Sequence, residues 1–322
     1  MTHLALVGPT ASGKSAVAMA VARALGDVEI VAVDAMQVYE GMDVGTAKPT
    51  PSDRAEVPHH LLDLVEASEP YSVAQYQRAA VEILAGIEAR GHRALLVAGT
   101  GLYLRAVIDA LELPGTFPEL RRELEAAAAD GAAARLHERL SAADPRAAAR
   151  IAPTNARRVV RALEVTLGAG RPFSSFGPGL ATHPTVGFSL AGVWLPRRVV
   201  AERIAHRFRA QLEQGLVAEV EALAGRPGGL SATAGRALGY REVLEHLAGR
   251  MSLEDAVTRA VGRTRAFARR QRVWFRRDPR ITWLASARNP LAVVPVLLGH
   301  WSRPWLSADH HRPPPAVLPG RS

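Results

Sequence analysis

The chain has 322 residues but no cysteine and no long uninterrupted hydrophobic run. The missing cysteine excludes a disulfide framework and a thiolate metal site, and it is consistent with a reducing compartment. No apolar stretch approaches the length that crosses a bilayer, and the N-terminus enters an apolar strand without a basic, hydrophobic leader. We therefore expect a soluble cytoplasmic monomer with no membrane partner.

Lysine is the second scarce residue. The chain holds 40 basic residues, of which only Lys14 and Lys48 are lysines, and both lie in glycine-containing segments, GPTASGKS and GMDVGTAKP. A compact ammonium group kept at two places in an arginine-rich chain favours a site for polyphosphate. The pattern predicts that site close to the N-terminus.

The first segment fills the pattern G-x-x-x-x-G-K-[ST] between a predicted apolar strand at residues 3–7 and a predicted helix at 15–25. The backbone N–H groups of such a loop face one anion, and the helix N-terminus adds partial positive charge. A chance glycine-rich turn is the alternative, which the flanking strand and helix disfavour. The predicted diphosphate- or nucleotide-binding residues are Gly8, Pro9, Thr10, Ala11, Ser12, Gly13, Lys14 and Ser15, with the Ser15 hydroxyl as a ligand of Mg²⁺.

The net charge of +9 is unevenly distributed. Residues 135–171 and 254–280 together hold more than the whole excess of positive charge. Two basic segments are typical of a protein that binds a large polyanion such as nucleic acid. The alternative is an arginine-rich composition on ordinary solvated helices.

The order of predicted elements favours an α/β fold. Apolar strands are predicted at residues 29–33, 94–98 and 186–194, and helices at 73–90, 199–223 and 253–277. This alternation predicts a P-loop NTPase-like parallel sheet flanked by helices. Ligands bind at the carboxyl ends of such strands, so we expect the glycine-rich loop, Asp34 and Thr100 to converge there.

The domain organisation is predicted from changes in composition. Residues 119–185 are rich in alanine, arginine and glutamate, end in a Pro-Gly-Ser connector, and are predicted to form an all-helical inserted domain. Residues 1–118 and 186–285 then form the catalytic core, which includes C-terminal helices. The tail at 302–322 is predicted to be disordered.

Asp34 follows a buried strand and opens the segment DAMQVYEGMDVGTAKP. Three roles are open to it: a carboxylate on the magnesium side of a phosphate site, a general base facing an acceptor, or a helix N-cap. A base would have to lie near the phosphate site without being enclosed by it.

The last long predicted helix carries two neighbouring stripes of arginines at helical intervals, a surface suited to phosphate backbones. Trp274 and Phe275 are embedded in it, and we expect them to pack in the core rather than stack on bases. The stripes are Arg259, Arg263, Arg270 and Arg277, and beside them Arg265, Arg269, Arg272 and Arg276.

Two further groups of side chains have more than one interpretation. The adjacent His59 and His60 invite a metal site, but neighbouring residues point in different directions and no cysteine completes a zinc site, so we reject it. Tyr39, Tyr71 and Tyr103 could stack on a base or an apolar chain, although packing is the commoner role.

Seven sequence blocks between about residue 3 and residue 285 resemble the bacterial tRNA dimethylallyltransferases, also called isopentenyl-tRNA transferases. In chain order they are GPTASGKS, DAMQVYEGMDVGTAKP, VPHHLLD, VAGTGLYLRA, RRVVRALEV, RALGYRE and TRAFARRQRVWFRRDPRI. The resemblance implies transfer of a dimethylallyl group from dimethylallyl diphosphate to N6 of the adenosine 3′ of the anticodon, with Mg²⁺ and release of diphosphate.

The resemblance also implies roles for individual residues. Asp34 is implied as the general base, Thr100 as a phosphate or amine contact, Ser15 as a catalytic residue, and either Arg203 or Arg207 as a further diphosphate ligand. The anticodon stem-loop must present its target base extruded into a pocket. The implied tRNA-binding residues are Asp34, Ala35, Met36, Gln37, Arg157, Arg158, Arg161, Arg236, Gly239, Tyr240 and Arg241.

The chain departs from the family pattern at two of these positions. Arg157 stands where the family commonly has glutamine, so a base contact there is expected to become a phosphate contact. Ala35 stands where serine is usual and is assigned no hydrogen bond.

Two rival functions remain at this point. In a small-molecule P-loop kinase, Lys14 and Ser15 would bind ATP, but a small substrate would not require the arginine-rich segments. A non-catalytic RNA-binding protein that uses a nucleotide as a switch would tolerate the change Asp34→Ala.

Overall fold

The computed structural model describes residues 2–130, 133–177, 179–180 and 182–301. The chain divides into two compact units, one made of the chain up to Ile108 and from Thr185 on, the other of Asp109–Pro184. The insertion predicted at 119–185 therefore has a counterpart that begins earlier, at Asp109. Contacts explain this difference, since Phe117 N donates to the Glu164 carboxylate at 2.9 Å and Arg161 donates to the Pro114 carbonyl at 3.0 Å. The predicted tail at 302–322 lies outside the described residues.

The first unit contains a six-stranded parallel sheet with strand order β3-β2-β4-β1-β5-β6. The strands are β1 (His3–Val7), β2 (Val28–Val33), β3 (His59–His60), β4 (Arg93–Ala98), β5 (Phe188–Trp194) and β6 (Thr282–Ala285). The central strands are apolar on both faces, as a sheet covered by helices on both sides requires. The predicted α/β fold is confirmed.

Helices cover the sheet and form the second unit. They are α1 (Lys14–Leu25), α2 (Pro51–Glu56), α3 (Val73–Ala89), α4 (Gly101–Ile108), α5 (Pro118–Ala129), α6 (Ala133–Ala143), α7 (Pro145–Ala148), α8 (Ala156–Gly168), α9 (Arg197–Glu213), α10 (Leu216–Ala224), α11 (Tyr240–Leu247), α12 (Leu253–Phe275) and α13 (Val294–Trp301). No helix in the described part of the chain is both long and apolar enough to cross a bilayer.

Alternate residues of β1 point to opposite faces of the sheet. Leu4 and Leu6 pack with α1 and α13 in one core, and Ala5 and Val7 pack with α3 and α4 in the other. Because the strand side chains alternate, two cores result, one on each face of the sheet.

Several elements differ from the sequence-based prediction. The helix expected at 199–223 is two helices, α9 and α10, because Gly215 adopts φ 97°, a conformation that favours glycine and ends a helix. The strand β6 and the helix α13 lacked a sequence signal strong enough to predict. His59 and His60, for which no strand was predicted, form the short edge strand β3.

The second unit has its own apolar core. Leu124 of α5, Leu140 of α6 and Leu163 of α8 are buried in it together with their neighbours. The buried Glu164 carboxylate is paired with Arg161 at 2.9 Å and lies 3.4 Å from Arg121, which compensates its charge.

Candidate active site

Residues 8–15, here named the phosphate loop, connect the end of β1 to the start of α1. The loop needs left-handed backbone at Ala11 (φ 61°) and Gly13 (φ 85°), and a Cβ on Gly13 would collide with the ring of Pro290. Glycine at position 13 is therefore required twice, for its backbone conformation and for space. Ser15 lies exposed in the first turn of α1.

The ends of three neighbouring strands meet at this loop, as the sequence predicted. Thr100 follows β4, which lies between β1 and β2 in the sheet. The Gly99 and Thr100 N–H groups both donate to the Val33 carbonyl, at 3.3 and 3.4 Å, and Gly8 N donates to the Ala98 carbonyl at 3.3 Å. The start of the phosphate loop, Thr100 and the residue before Asp34 are thereby tied together by backbone hydrogen bonds.

A cavity of about 460 Å³ opens beside the phosphate loop. Lys14, Ser15, Asp34 and Gln37 border it, so the structure brings the loop and the Asp34 carboxylate to one space. Its apolar lining includes Met19, Ile30, Ala32 and Val97. The cavity is therefore bordered by a cationic side chain, an anionic side chain and several apolar ones.

The charges at this cavity influence one another. Burial lowers the pKa of the Lys14 ammonium group to about 8, an effect that the Asp34 carboxylate opposes and Arg207 reinforces. One Asp34 oxygen, Oδ1, accepts a hydrogen bond from Met36 N at 2.8 Å, which fixes the carboxylate at the start of its loop. The charges of Lys14 and Asp34 therefore interact electrostatically.

Both arginines that the sequence left open contact the phosphate loop. Arg203 Nε donates to the Ala11 carbonyl at 2.9 Å, and Arg207 Nη2 donates to Thr10 Oγ1 at 2.7 Å. Burial lowers the pKa of the Arg207 guanidinium. Two guanidinium groups from α9 therefore lie where they add positive charge to the loop.

Gln271 of α12 also fixes the phosphate loop, and the sequence analysis missed it. Its Oε1 accepts from Thr10 N at 2.8 Å, while its Nε2 donates to the Gly99 carbonyl at 2.7 Å. The available signal was a single glutamine inside an arginine-rich helix, but nothing local identifies a partner so distant in the chain.

Lys48 has a different role from the phosphate contact that its glycine-containing segment suggested. Its ammonium group is buried, donates to the Tyr39 carbonyl at 2.6 Å, and pairs with Asp43 at 2.7 Å and with Asp63. The charge is already matched by carboxylates, so Lys48 holds the 34–48 loop together rather than offering a cation to an anion.

The predicted tRNA-binding set in the first unit divides by exposure. Arg236 and Arg241 are exposed and can reach a large partner. Gly239 and Tyr240 are buried, and the Tyr240 hydroxyl donates to Glu219 at 2.5 Å. The Tyr240 ring is packed inside the protein and offers no surface to RNA in this structure, so its contact with tRNA stays a prediction. Ala35 and Met36 are half-buried against the core.

The predicted tRNA-binding arginines of the second unit lie on α8. Arg157 and Arg158 are exposed, whereas Arg161 is engaged with Glu164 and the Pro114 carbonyl. Two of these three arginines, Arg157 and Arg158, can therefore contact a partner.

The arginine stripes of α12 are partly structural. Arg272 is buried, donates to the Leu195 carbonyl at 2.5 Å and stacks 4.2 Å from the Trp194 ring, and Arg263 pairs with Glu242. Phe275 is in the core and Trp274 packs against it, which agrees with the predicted packing roles. The exposed arginines are Arg259, Arg265, Arg269, Arg270, Arg276 and Arg277.

His59 and His60 form hydrogen bonds, and two of the three candidate tyrosines are packed inside the protein. His60 bonds to Glu29 at 2.6 Å and His59 bonds to the Val57 carbonyl at 2.7 Å. Tyr39 is fully buried, and Tyr103 packs against Tyr76 with 4.8 Å between ring centroids.

The donor set at the cavity suits a hard cation. Within the described residues there is no cluster of three or more His, Cys, Asp or Glu side chains that could hold a metal by itself. The Ser15 hydroxyl nevertheless offers an oxygen donor, and Mg²⁺ prefers such oxygen ligands when substrate phosphates supply further ones. The residues present therefore fit Mg²⁺.

Comparisons with known proteins agree with this arrangement. Residues 37–278 match the IPP transferase family, and residues 1–63 match the isopentenyl transferase family. A tRNA dimethylallyltransferase of Salinispora tropica is 51% identical over 290 residues, which cover 90% of both chains. One from Thermobifida fusca is 48% identical and covers 88% of this chain and 89% of its own.

A solved structure gives the same result. The tRNA isopentenylpyrophosphate transferase of Bacillus halodurans superposes with a TM-score of 0.66 at 35% identity, covering 92% of this chain and 96% of its own. Since one family match spans most of the chain and the relatives match over nearly its full length, this chain belongs to the IPP transferase family.

Proposed function

We propose that this protein transfers a dimethylallyl group from dimethylallyl diphosphate to N6 of the adenosine 3′ of a tRNA anticodon, releasing diphosphate. The observation that carries the proposal is the shared cavity, since Lys14 of the phosphate loop and the Asp34 carboxylate border one space. The transfer needs such an arrangement, with an anion-binding group for the leaving group and a proton acceptor on the nucleophile's side.

The phosphate loop supports departure of the diphosphate. Breaking the allylic C–O bond leaves cationic character on the prenyl carbon and adds negative charge to the diphosphate. Backbone N–H groups of residues 10–15, the Lys14 ammonium group and the guanidinium groups of Arg203 and Arg207 stabilise that charge. The Ser15 hydroxyl, together with the diphosphate oxygens, would hold Mg²⁺, which would add positive charge beside the leaving group.

Asp34 completes the reaction on the acceptor side. As N6 bonds to the prenyl carbon, the amine becomes positively charged and gives one proton to the Asp34 carboxylate. The products are the N6-dimethylallyl adenosine, free diphosphate and a proton that later leaves Asp34. Thr100 follows β4, which lies in the sheet between the strand that leads to Asp34 and the strand that leads to the phosphate loop, and it contacts the phosphate or the amine.

The tRNA is bound through exposed arginines. Phosphate contacts come from Arg157, Arg158, Arg236 and Arg241 and from the exposed face of α12. The extruded adenine binds against the loop formed by Asp34, Ala35, Met36 and Gln37. The enzyme acts in the cytoplasm as a monomer.

The kinase alternative is not favoured. The relatives in the comparison are named tRNA dimethylallyltransferase, and they are about 50% identical to this chain over most of its length. An acceptor as small as a kinase substrate also leaves the exposed arginines of α12 without a function.

Mass spectrometry of tRNA nucleosides tests the proposal. Unmodified tRNA is incubated with the protein, Mg²⁺ and dimethylallyl diphosphate, and matched reactions omit the prenyl donor or replace it with ATP. We expect an adenosine that has gained one dimethylallyl group only when the prenyl donor is present. Phosphorylation of a small acceptor by ATP, with tRNA unchanged, would instead support the kinase.

A further inference from the structure

We infer that Glu219, on α10, is a positioning residue for the proposed reaction: it fixes the backbone of residues 43–45 and thereby the wall that faces Asp34. The inference rests on the proposed function and adds a residue that lies outside both the phosphate loop and the 34–37 segment. Its basis is an unusual concentration of hydrogen bonds on one carboxylate.

The Glu219 carboxylate accepts four hydrogen bonds. Oε2 accepts from Asp43 N at 2.9 Å and from Val44 N at 2.7 Å, and Oε1 accepts from Gly45 N at 3.0 Å and from the Tyr240 hydroxyl at 2.5 Å. Three consecutive peptide N–H groups directed at one side chain form a small anion-binding concavity in the backbone. Hydrogen bonds to a charged acceptor are stronger than neutral ones, so the segment is firmly held.

The opposite side of the same peptides is held by Gln211 of α9. Its Nε2 donates to the Val44 carbonyl at 2.7 Å and to the Gly45 carbonyl at 3.0 Å. Tyr240 closes the arrangement, since a Cβ on Gly45 would overlap the Tyr240 ring. Glycine at position 45 is thus required by close approach, and three helices, α9, α10 and α11, hold one short segment.

The held segment continues directly into the wall of the cavity. Gln37 Nε2 donates to the carbonyls of Thr46 and Ala47 at 3.1 and 3.3 Å, and both Gln37 and Ala47 line the cavity that Asp34 borders. A shift of residues 43–45 therefore moves Thr46 and Ala47, and with them the amide of Gln37. The distance from the target amine to Asp34 depends on this wall.

The chemical consequence follows from geometry. The phosphate loop is fixed separately by Gln271, Arg203 and Arg207, so loss of the Glu219 contacts leaves donor binding intact. A misplacement of about 1 Å at the reacting atoms can cost on the order of 100-fold in rate. Glu219 therefore affects the chemical step with tRNA rather than binding of the diphosphate.

The test uses Glu219→Gln, which keeps the size of the side chain but replaces one acceptor oxygen by an NH₂ group. Whichever way the amide turns, that NH₂ group faces two of the four donors. We expect kcat for tRNA prenylation to fall about 10- to 100-fold. The KM for dimethylallyl diphosphate and the Kd for inorganic diphosphate with Mg²⁺ are expected to stay within about twofold, since no contact of the phosphate loop changes.

Controls separate this role from general destabilisation. Glu221→Gln removes an exposed carboxylate two residues further along α10 and is expected to match the wild type. Gln211→Met removes the donors on the other side of the same peptides and is expected to lower kcat in the same way. This second variant keeps the inference testable if Glu219→Gln does not fold.

Each outcome is decisive. A low kcat with normal diphosphate affinity in the Glu219 or Gln211 variant supports the positioning role. Normal kcat in both variants, or equal losses of kcat and of diphosphate affinity, overturns it. A wild-type protein that prenylates no tRNA overturns the proposed function instead, so the two failures are distinguishable.

Discussion

At the scale of single residues, Asp34 carries the most chemistry. The change Asp34→Asn keeps the shape and the hydrogen bond from Met36 N but removes the proton acceptor. We expect turnover to fall about 10²- to 10⁴-fold, the usual range for a lost general base. Affinities for tRNA and for dimethylallyl diphosphate should change little, as measured by filter binding and calorimetry. Glu40→Gln, an exposed carboxylate of the same loop, is the matched control. Equal turnover in the two variants would remove Asp34 from the mechanism.

Lys14 gives a second residue-scale prediction, on proton uptake. Its pKa is lowered to about 8 by burial, so above about pH 8 a large share of the ammonium group is neutral in the empty site. A bound diphosphate favours the charged form and raises this pKa. Binding should therefore take up a proton near pH 8.5, and affinity should fall as the pH rises above 8.

Calorimetry of dimethylallyl diphosphate binding in buffers of different ionisation enthalpy measures that uptake. The prenyl diphosphate itself has little proton to exchange in this range, and Lys14→Met provides the comparison because it cannot titrate. Equal proton uptake by the variant and the wild type would assign the proton to another group.

The sequence predicted some residues of the site but not others, for a physical reason. Lys14, Ser15, Asp34 and Thr100 follow strands or fill a loop pattern, and parallel strands bring their carboxyl ends to one edge. Lys48 has the same kind of local context as Lys14, yet its partner Asp63 comes from further along the chain. A local sequence pattern cannot distinguish a lysine that is available to bind an anion from a lysine that is already paired with carboxylates in the folded protein.

At the scale of elements, α12 has two faces with separate tasks. The buried face carries Gln271, which fixes Thr10 and Gly99, while Arg270 is exposed on the helix surface. Gln271→Leu leaves a buried N–H and a carbonyl without partners, at a cost of about 1–3 kcal/mol. We expect it to weaken diphosphate binding about 10-fold and to leave tRNA affinity nearly unchanged.

For the exposed face of α12 we expect the opposite result, a loss of tRNA affinity with unchanged diphosphate affinity. Arg270→Gln removes one phosphate contact, so tRNA binding should weaken, its dependence on salt concentration should become less steep by about one unit of slope, and diphosphate binding should not change. Titrations of both ligands across a salt series measure the two effects. If each variant weakened both ligands alike, α12 would not divide its tasks in this way.

Element prediction succeeded where periodicity was long and failed at breaks that tertiary contacts decide. Helix α3 and strands β1, β2 and β4 lie within a residue or two of their predicted bounds. Gly215 divides the helix expected at 199–223, and a glycine inside a helical pattern does not by itself show whether the helix ends there. Arg272 was assigned to the exposed stripe because helical spacing alone does not give the position of Leu195 and Trp194.

At the scale of the whole molecule, the buried Glu29 carboxylate links the fold to pH. Hydrogen bonds from Arg90, with help from His60 and His92, lower the pKa of Glu29 from 4.5 to about 2. A carboxyl group whose pKa is lower in the folded state stabilises the fold above its unfolded pKa. That contribution should be lost as the pH falls from about 4.5 towards 2.

Urea unfolding at several pH values measures this contribution. Glu29→Gln should lower the free energy of unfolding by roughly 2–3 kcal/mol near pH 7, and its stability should fall less steeply than that of the wild type below about pH 5. Glu82→Gln, an exposed change on α3, is expected to leave the curve unchanged. A parallel acid dependence in the wild type and Glu29→Gln would show that Glu29 is not the titrating group.

The proposed reaction depends on where the two substrates meet. A structure of the protein with dimethylallyl S-thiolodiphosphate, Mg²⁺ and an RNA anticodon stem-loop measures this directly. We expect the diphosphate within hydrogen-bond distance of the N–H groups of residues 10–15, and the extruded adenine N6 about 2.6–3.2 Å from an Asp34 oxygen. A diphosphate bound outside this loop, or an Asp34 carboxylate too far from N6 to accept its proton, would contradict it.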